Sequence, residues 1–436
     1  MIFETFIGDN LGFIYREVWV PFWPFFAFFI LVPIARSAWL FWRQQIFKGD
    51  IKWVVLELKI PREIKKSPRA MEQVFSSIHQ LRNAPGDLRE WYWDGEVTRW
   101  YCFEIVSFGG DVHFYIRCYH KQKNLIRASF YSYYPDVEIV DVPDYVDRFP
   151  TSVSEVYAQG YDLWGGEMKL AKEGAYPIKI HEEFESPDEE HQIDPMSTLL
   201  EMFGSLHREE ILALQILVTP AATDWGKEFK KLIDKLRDTK TKQETKTGPE
   251  GQLESFARFI SRSPGETDVL KSVELNLSKQ AFATTIRFLY FSPKQIFYDS
   301  IPRRALKSVF NQYAALDLNY FEINYKVATR TKIWDPPFIF PGHRVEFRKG
   351  RILYNYRHRK NPPKLFMEKF LTSYLFDWNF KSKSFIMTTQ TLATIFHMPT
   401  HLVLTTPHMQ RVESRKGSPP AGLAIFGEEK ELERFQ

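Results

Sequence analysis

His397 and His401 stand four residues apart in "TLATIFHMPTHLV", residues 391–403. On a continuous helix that spacing turns two imidazoles toward one metal ion, as in H-E-x-x-H sites, where a glutamate beside the first histidine acts as base. Here Pro399 lies between the two histidines and no glutamate follows His397. Proline disfavours helix at the residue before it and breaks the register. The stretch therefore reads as a short helix, "TTQTLATIF", capped by Thr388 or Thr389, with Leu392, Ile395 and Phe396 on its apolar face and Pro399 as its stop. No metal and no other cofactor is expected.

Other chemistry lacks parts in the same way. A P-loop needs G-x-x-x-x-G-K-[ST], so that backbone amides cradle phosphates while lysine and hydroxyl handle charge and magnesium. No such string occurs, and "GSPPAG" near the end has neither the lysine nor the hydroxyl. There is no G-x-S-x-G and no C-x-x-C. Glu182-Glu183 and Asp188-Glu189-Glu190 sit in a polar, proline-containing stretch and read as solvated surface. Cys102 and Cys118, the two cysteines of the chain, lie in apolar, aromatic runs where a free thiol behaves as a small buried hydrophobe. No enzymatic activity is expected.

One basic cluster stands out. In "HRVEFRKGRILYNYRHRKNPPK", residues 343–364, Arg344, Arg348, Lys349, Arg351, Arg357, Arg359, Lys360 and Lys364 face a single acid, Glu346, and Phe347, Tyr354 and Tyr356 are interleaved with them. Such a strip suits a phosphate backbone with aromatic faces stacking on single-stranded DNA bases. It equally suits anionic lipid headgroups, and a third reading is an ordinary basic hairpin face or a docking surface for a partner protein. The formal charge of the whole chain is +4, too small to choose among these, so the cluster itself must carry the argument.

The N-terminal region supplies the lipid context. Residues 18–35, "VWVPFWPFFAFFILVPIA", carry no charge, and as a helix rising ~1.5 Å per residue they cover about 27 Å, close to a bilayer's hydrocarbon core. Trp19, Trp23, Trp39 and Trp42 lie toward the two ends as aromatic anchors. Arg36, Arg43, Lys48 and Lys52 follow the span, whereas acids dominate before it, so the positive-inside rule puts residues 1–17 outside and the bulk of the chain in the cytoplasm. A single-pass protein of the inner membrane is expected. A re-entrant or interfacial hairpin is the alternative.

Beyond the span, the periodicities predict strand 53–61, helix 67–81, strands 100–108 and 112–120 joined through Gly109-Gly110, helix 121–134 and strand 137–142. That order is a ferredoxin-like split βαβ unit, taken as a first module over 50–150. A linking segment, 151–208, contains a strand-like run at 164–180 and a helix at 194–206 with Asp194 at its N-cap and Pro195 at its first position. A second α+β module over 209–410 follows, with a polar insertion at 239–252 and the basic segment at 343–364, and then a flexible tail at 411–436. The fold class is α+β: one transmembrane helix with its flank over 18–42 and two ferredoxin-like modules.

Three strings resemble a known family: "LELKIPREIKKSPRAMEQVFSSIHQL", "IDPMSTLLEMFGSLHREEILALQILVTPA", and "FIMTTQTLATIFHMPT" with its follower "ESRKGSPPAGL". Together they look like the N-terminal region of bacterial type IV secretion and conjugation coupling-type proteins, in which a membrane segment and an α+β region precede a HerA-like P-loop ATPase domain. The resemblance spans roughly residues 53–423, and the chain ends where that ATPase would begin. It implies a non-catalytic, membrane-anchored component that recruits a P-loop ATPase in trans; single-stranded DNA at the basic strip and a second copy of the chain in a homo-oligomer are open partner expectations beside it. The alternative expectation is a tethered adaptor for lipid headgroups and protein partners with no DNA role.

Overall fold

The alternating run after Lys52 closes as strand β1 (Trp53–Lys59), whose Leu56 and Leu58 face one core and Val55 the other. The structure, a computed structural model, describes residues 20–61, 64, 66–185, 193–238, 264–298, 300–332, 334, 340–372 and 380–400. Expectations for 1–17, Trp19, the insertion at 239–252, His401 and the tail at 411–436 lie outside those residues.

Helix α1 (Val20–Asp50) opens the described chain, and it is long and apolar enough to cross a membrane, with only 6% of its apolar window buried. After β1 come helix α2 (Pro68–Gln80), strands β2 (Tyr101–Phe108) and β3 (Asp111–Tyr119), helix α3 (Lys123–Tyr133) and strand β4 (Glu138–Val142). Ser67 caps α2 by accepting the Arg69 amide at 3.2 Å, with Pro68 pre-set for the first turn. Gly109 and Gly110 turn the β2–β3 hairpin at φ +61° and +95°. A Cβ on Gly109 would also sit 2.4 Å from the Arg208 carbonyl oxygen, so only glycine meets both demands.

The second half repeats the alternation. Helix α4 (Val153–Ala158), β5 (Tyr161–Leu170), α5 (Ser197–Gly204), β6 (Ile211–Pro220), α6 (Lys230–Asp238), α7 (Pro264–Leu277), β7 (Ala281–Pro293), α8 (Ser300–Asn311) and β8 (Phe321–Ile323) follow one another. Helices α9 (Pro341–Arg357) and α10 (Phe366–Thr372), strand β9 (Phe385–Thr388) and helix α11 (Thr389–Ile395) complete the described chain. All pairings are antiparallel in one nine-stranded sheet of order β4-β1-β3-β2-β6-β7-β5-β8, with β9 added along the first residues of β7. Segment 151–208, expected as a link, instead supplies β5 and α5, and β5 lies inside the sheet between β7 and β8. The helix expected at 194–206 starts at Ser197, because Asp194 spends its side chain on the Met196 amide and a distant histidine.

Both faces of the sheet are covered. Side chains of α2, α3, α5, α8 and α11 pack one face, where Phe103 lies against Phe75 and Phe396 with ring centroids 4.9 and 5.1 Å apart. Helices α4 and α9 and the turn at Tyr145–Arg148 cover the other, through Val156, Ile352, Leu353, Tyr356, Tyr145 and Val146. Cys102 and Cys118 are free and buried. Residue 102 pairs with 117, so the two thiols point to opposite faces. Burial pushes the Cys118 thiol up to about 12.

Candidate functional site

Pairing register brings a row of polar side chains together under α9. Glu57, Tyr115, Glu104, Gln215, Arg287 and Glu167 are directly paired neighbours across β1, β3, β2, β6, β7 and β5, and paired residues share a face. Arg287 donates to Glu167 at 2.9 Å and to the Gln215 side-chain oxygen at 3.0 Å. Gln215 donates to Glu104 at 2.8 Å, and Arg359 clamps both oxygens of Glu104 at 2.9 Å while reaching Asp144 at 2.8 Å. Burial alone would raise the Glu104 carboxyl, but Arg359 outweighs it and holds the group below its ordinary value. The network is closed on itself. A buried charge needs such pairing, and its role here is to fix the segment after α9 onto the sheet.

That accounts for much of the basic strip. The segment is a helix and not a hairpin, so 344, 348, 352 and 356 fall on one inward face, and Arg344, Arg348, Lys349, Tyr356 and Arg359 are buried. Arg348 donates to the carbonyls of Tyr325, Ala328 and Arg330 at 3.0 to 3.2 Å. Lys349 binds Asp162 at 2.5 Å and the Tyr157 hydroxyl at 2.9 Å. Arg357 donates to the carbonyls of Val146, Phe149 and Pro150, and the Tyr356 and Tyr145 hydroxyls meet at 2.8 Å. The strip is thus no continuous surface. Arg351, Tyr354, Lys360 and Lys364 are the members that reach solvent-facing clefts.

Two clefts open where α9 stops covering the sheet, at the foot of α1. The first, about 620 Å³, is bounded by Gln44, Gln45 and Lys48 of α1, by Trp53, Trp91 and Trp100, and by Arg117, Lys360 and Lys364. The second, about 700 Å³, has on its walls, among the described residues, six Lys/Arg side chains, Arg351, Lys360, Lys364, Lys369, Lys381 and Lys383, and one acid, Glu368. Lys360, Asn361, Lys364 and Glu368 belong to both, so the two form one basic region. Lys48 pairs with Glu368 at 3.6 Å. Arg117 lies over the Trp53 ring, 4.1 Å from its centroid, with its Nη1 buried and without a hydrogen-bond partner. Burial, and then neighbouring Arg359, push its guanidinium down to about 10, still cationic at neutral pH. Arg117 thus adds a cation to the wall of the first cleft.

Sequence reading missed Arg117, Lys369, Lys381 and Lys383. The signal available for Arg117 was a lone cation on a strand whose alternate residues are apolar. For Lys381 and Lys383 it was the "KSKS" run, which begins seventeen residues after the strip ends at Lys364.

The apolar helix is joined to this region by its C-terminal half. Leu40 and Gln44 are buried, Trp39 donates to the Tyr92 carbonyl at 3.0 Å, Arg43 to the Trp93 carbonyl at 2.5 Å, and the Met367 amide donates to Ser37 at 3.0 Å. Arg36 stands over Trp91 and Tyr92. Trp23 and Trp42, by contrast, are more than half exposed. His397 is not near the clefts; it is buried, with its ring nitrogens at the Ala393 carbonyl and at Asp194.

A family model described as a domain of unknown function (DUF8128) matches residues 44–323. The chain belongs to that family. No curated protein matches it.

Proposed function

We propose that this protein is a single-pass, membrane-anchored binding module whose basic region at the foot of α1 holds the phosphate of an anionic ligand, with acidic lipid headgroups as its source. The observation that carries the proposal is the pair of clefts sharing Lys360 and Lys364, lined by cations and directly abutting the C-terminal end of the apolar helix. Cationic pockets next to a span on the cytoplasmic side suit phosphorylated headgroups, and each nearby Lys or Arg contributes about 1 kcal/mol. Packing of Trp39, Leu40, Arg43 and Gln44 onto the body supports a retained anchor rather than a removed leader. The basic residues from Arg36 onward support a cytoplasmic body in an inner membrane.

The test is lipid retention. The full chain is reconstituted in nanodiscs holding acidic and zwitterionic phospholipid, extracted, and weighed by native mass spectrometry. Wild type should retain acidic lipid, and a Lys360→Gln, Lys364→Gln, Lys383→Gln variant should lose it; equal retention by both sinks the proposal. If inorganic pyrophosphate binds in detergent and lipid is not retained, the source is soluble instead.

The strand orders β4-β1-β3-β2 and β8-β5-β7-β6 support reading the body as two ferredoxin-like units joined edge to edge through β2 and β6. The string resemblance supports a P-loop ATPase in trans as the protein partner. Co-purification from membranes should bring such a chain down, and its absence under crosslinking overturns that partner. The burial of Arg344, Arg348 and Arg359 favours lipid over single-stranded DNA as the anion.

A further inference from the structure

Two segments remote from α1 in sequence rise beside it to the same level. The turn at Glu90–Asp94 places the rings of Trp91 and Tyr92 against Arg36, the first charged residue after the charge-free run, and Trp93 against Trp39 at 5.5 Å. From the other part of the chain, α10 donates its Met367 amide to Ser37. Each element carries large exposed apolar side chains next to these contacts in sequence. Leu88 is 78% exposed, Trp93 57%, Phe366 62% and Phe370 64%, next to Trp42 at 52%. Exposed apolar groups gathered around one point mark a contact surface, whereas scattered ones need no account.

We infer that residues 87–94 and α10 form an apolar collar around α1 that dips into the bilayer interface and fixes the body against the membrane. This rests on reading α1 as a membrane span. The occupant follows from continuity: the collar begins where the exposed apolar surface of α1, Phe28 through Val32, gives way to Arg36. Tryptophan and tyrosine favour that zone, where one part of a ring meets acyl chain and a polar edge meets headgroup, and phenylalanine and leucine supply the apolar face that interfacial helices bury there. Trp39 and Arg43 are tied to the turn's own carbonyls, so the turn moves with the helix. Lys364 precedes α10 and Lys369 lies within it, between Phe366 and Phe370, which sets the basic clefts just beneath the headgroups that the collar would touch.

The experiment uses the full chain in nanodiscs with an environment-sensitive dye on single introduced cysteines, Cys102 and Cys118 being buried. Lipids carry nitroxides either near the headgroup or deep in the chain. Leu88→Cys and Phe370→Cys should be quenched several-fold more strongly by the shallow nitroxide than by the deep one. Phe29→Cys, within the charge-free run, should be quenched best by the deep one. Glu209→Cys, beside the β2–β3 hairpin at the far end of strands about 26 Å long, should be quenched by neither. If positions 88 and 370 behave like 209 while 29 is quenched deeply, the collar is wrong and the span stands. If 29 is not quenched, the span fails and the collar with it.

Discussion

Asp194 and His397, 203 residues apart in the chain, meet in a buried pair, Nε2 to Oδ1 at 3.0 Å. The other ring nitrogen faces the Ala393 carbonyl at 2.8 Å. Carbonyl and carboxylate both only accept, so both contacts are hydrogen bonds when the ring carries two protons. Asp194 also accepts from the Met196 amide at 2.7 Å and from the Thr400 amide and hydroxyl at 2.8 and 2.9 Å. One carboxylate thus ties the entry to α5 to the exit from α11.

Acid should undo this tie. Burial alone would raise the Asp194 carboxyl, but His397 and the two amides outweigh it and hold it at about 2, against 3.8 for the free group. Its folded value is depressed, so its contribution is present above about pH 4 and lost as pH falls toward 2. That is on the order of 2.5 kcal/mol at ~1.4 kcal/mol per unit. Thermal unfolding of the detergent-solubilised chain from pH 6 to 3 should fall more steeply for wild type than for Asp194→Asn. Parallel curves would remove the pair from the stability account.

The pair also shows what a single sequence reveals. Periodicity and turn residues placed β1 to β4, α2 and α3, because those are local signals, and the glycine hairpin at 109 and 110 announced itself. Proline at 399 announced the end of the short helix, which closes at Ile395, but nothing local names Asp194 as the partner of His397. The basic strip misled for a related reason. A charge run looks solvated until one knows that it is a helix laid across a sheet carrying Glu104 and Glu167 in register, and that knowledge needs the pairing of strands more than 100 residues apart. Arg117, invisible as a site in its strand, becomes one when the foot of α1 closes a cleft around it.

Arg359 should behave as a structural cation. Arg359→Met leaves Glu104 and Asp144 facing each other without their counter-charge, with Glu104 wholly buried, and should cost about 3 to 5 kcal/mol. Replacing both, Glu104→Met with Arg359→Met, should cost less than the sum of the singles. Strict additivity in denaturant titration would mean the two charges do not depend on each other.

Gly95 should prove the contact between α1 and the body. It has φ +70°, and a Cβ there would lie 2.5 Å from the Arg43 carbonyl carbon of α1. Gly160, at φ +79°, has open space around it. Alanine at 160 meets only the left-handed backbone penalty, about 1 to 2 kcal/mol, whereas alanine at 95 must also push α1 away. Hydrogen exchange over residues 39–47 should therefore rise in Gly95→Ala and not in Gly160→Ala. Equal exchange in the two variants would place α1 off the body.

Lys364 and Lys383 should show the opposite phenotype to Arg359, although Lys364 and Arg359 lie five residues apart in one basic run. Both lysines are exposed at the cleft walls, so their removal leaves no buried charge and should shift the unfolding midpoint little, as surface changes do. Their positive charge is what an acidic headgroup would feel. At about 1 kcal/mol per cation, Lys364→Gln with Lys383→Gln should weaken acidic-lipid retention roughly tenfold or more. Raising salt should weaken wild-type retention as well, with a shallower slope in the variant because fewer charges are screened. Arg359→Met should do the reverse, losing stability while each folded molecule keeps its lipid. If the lysine variant keeps both its lipid and its salt slope, the clefts do not bind headgroups, and the cations at the foot of α1 serve only to face the membrane surface.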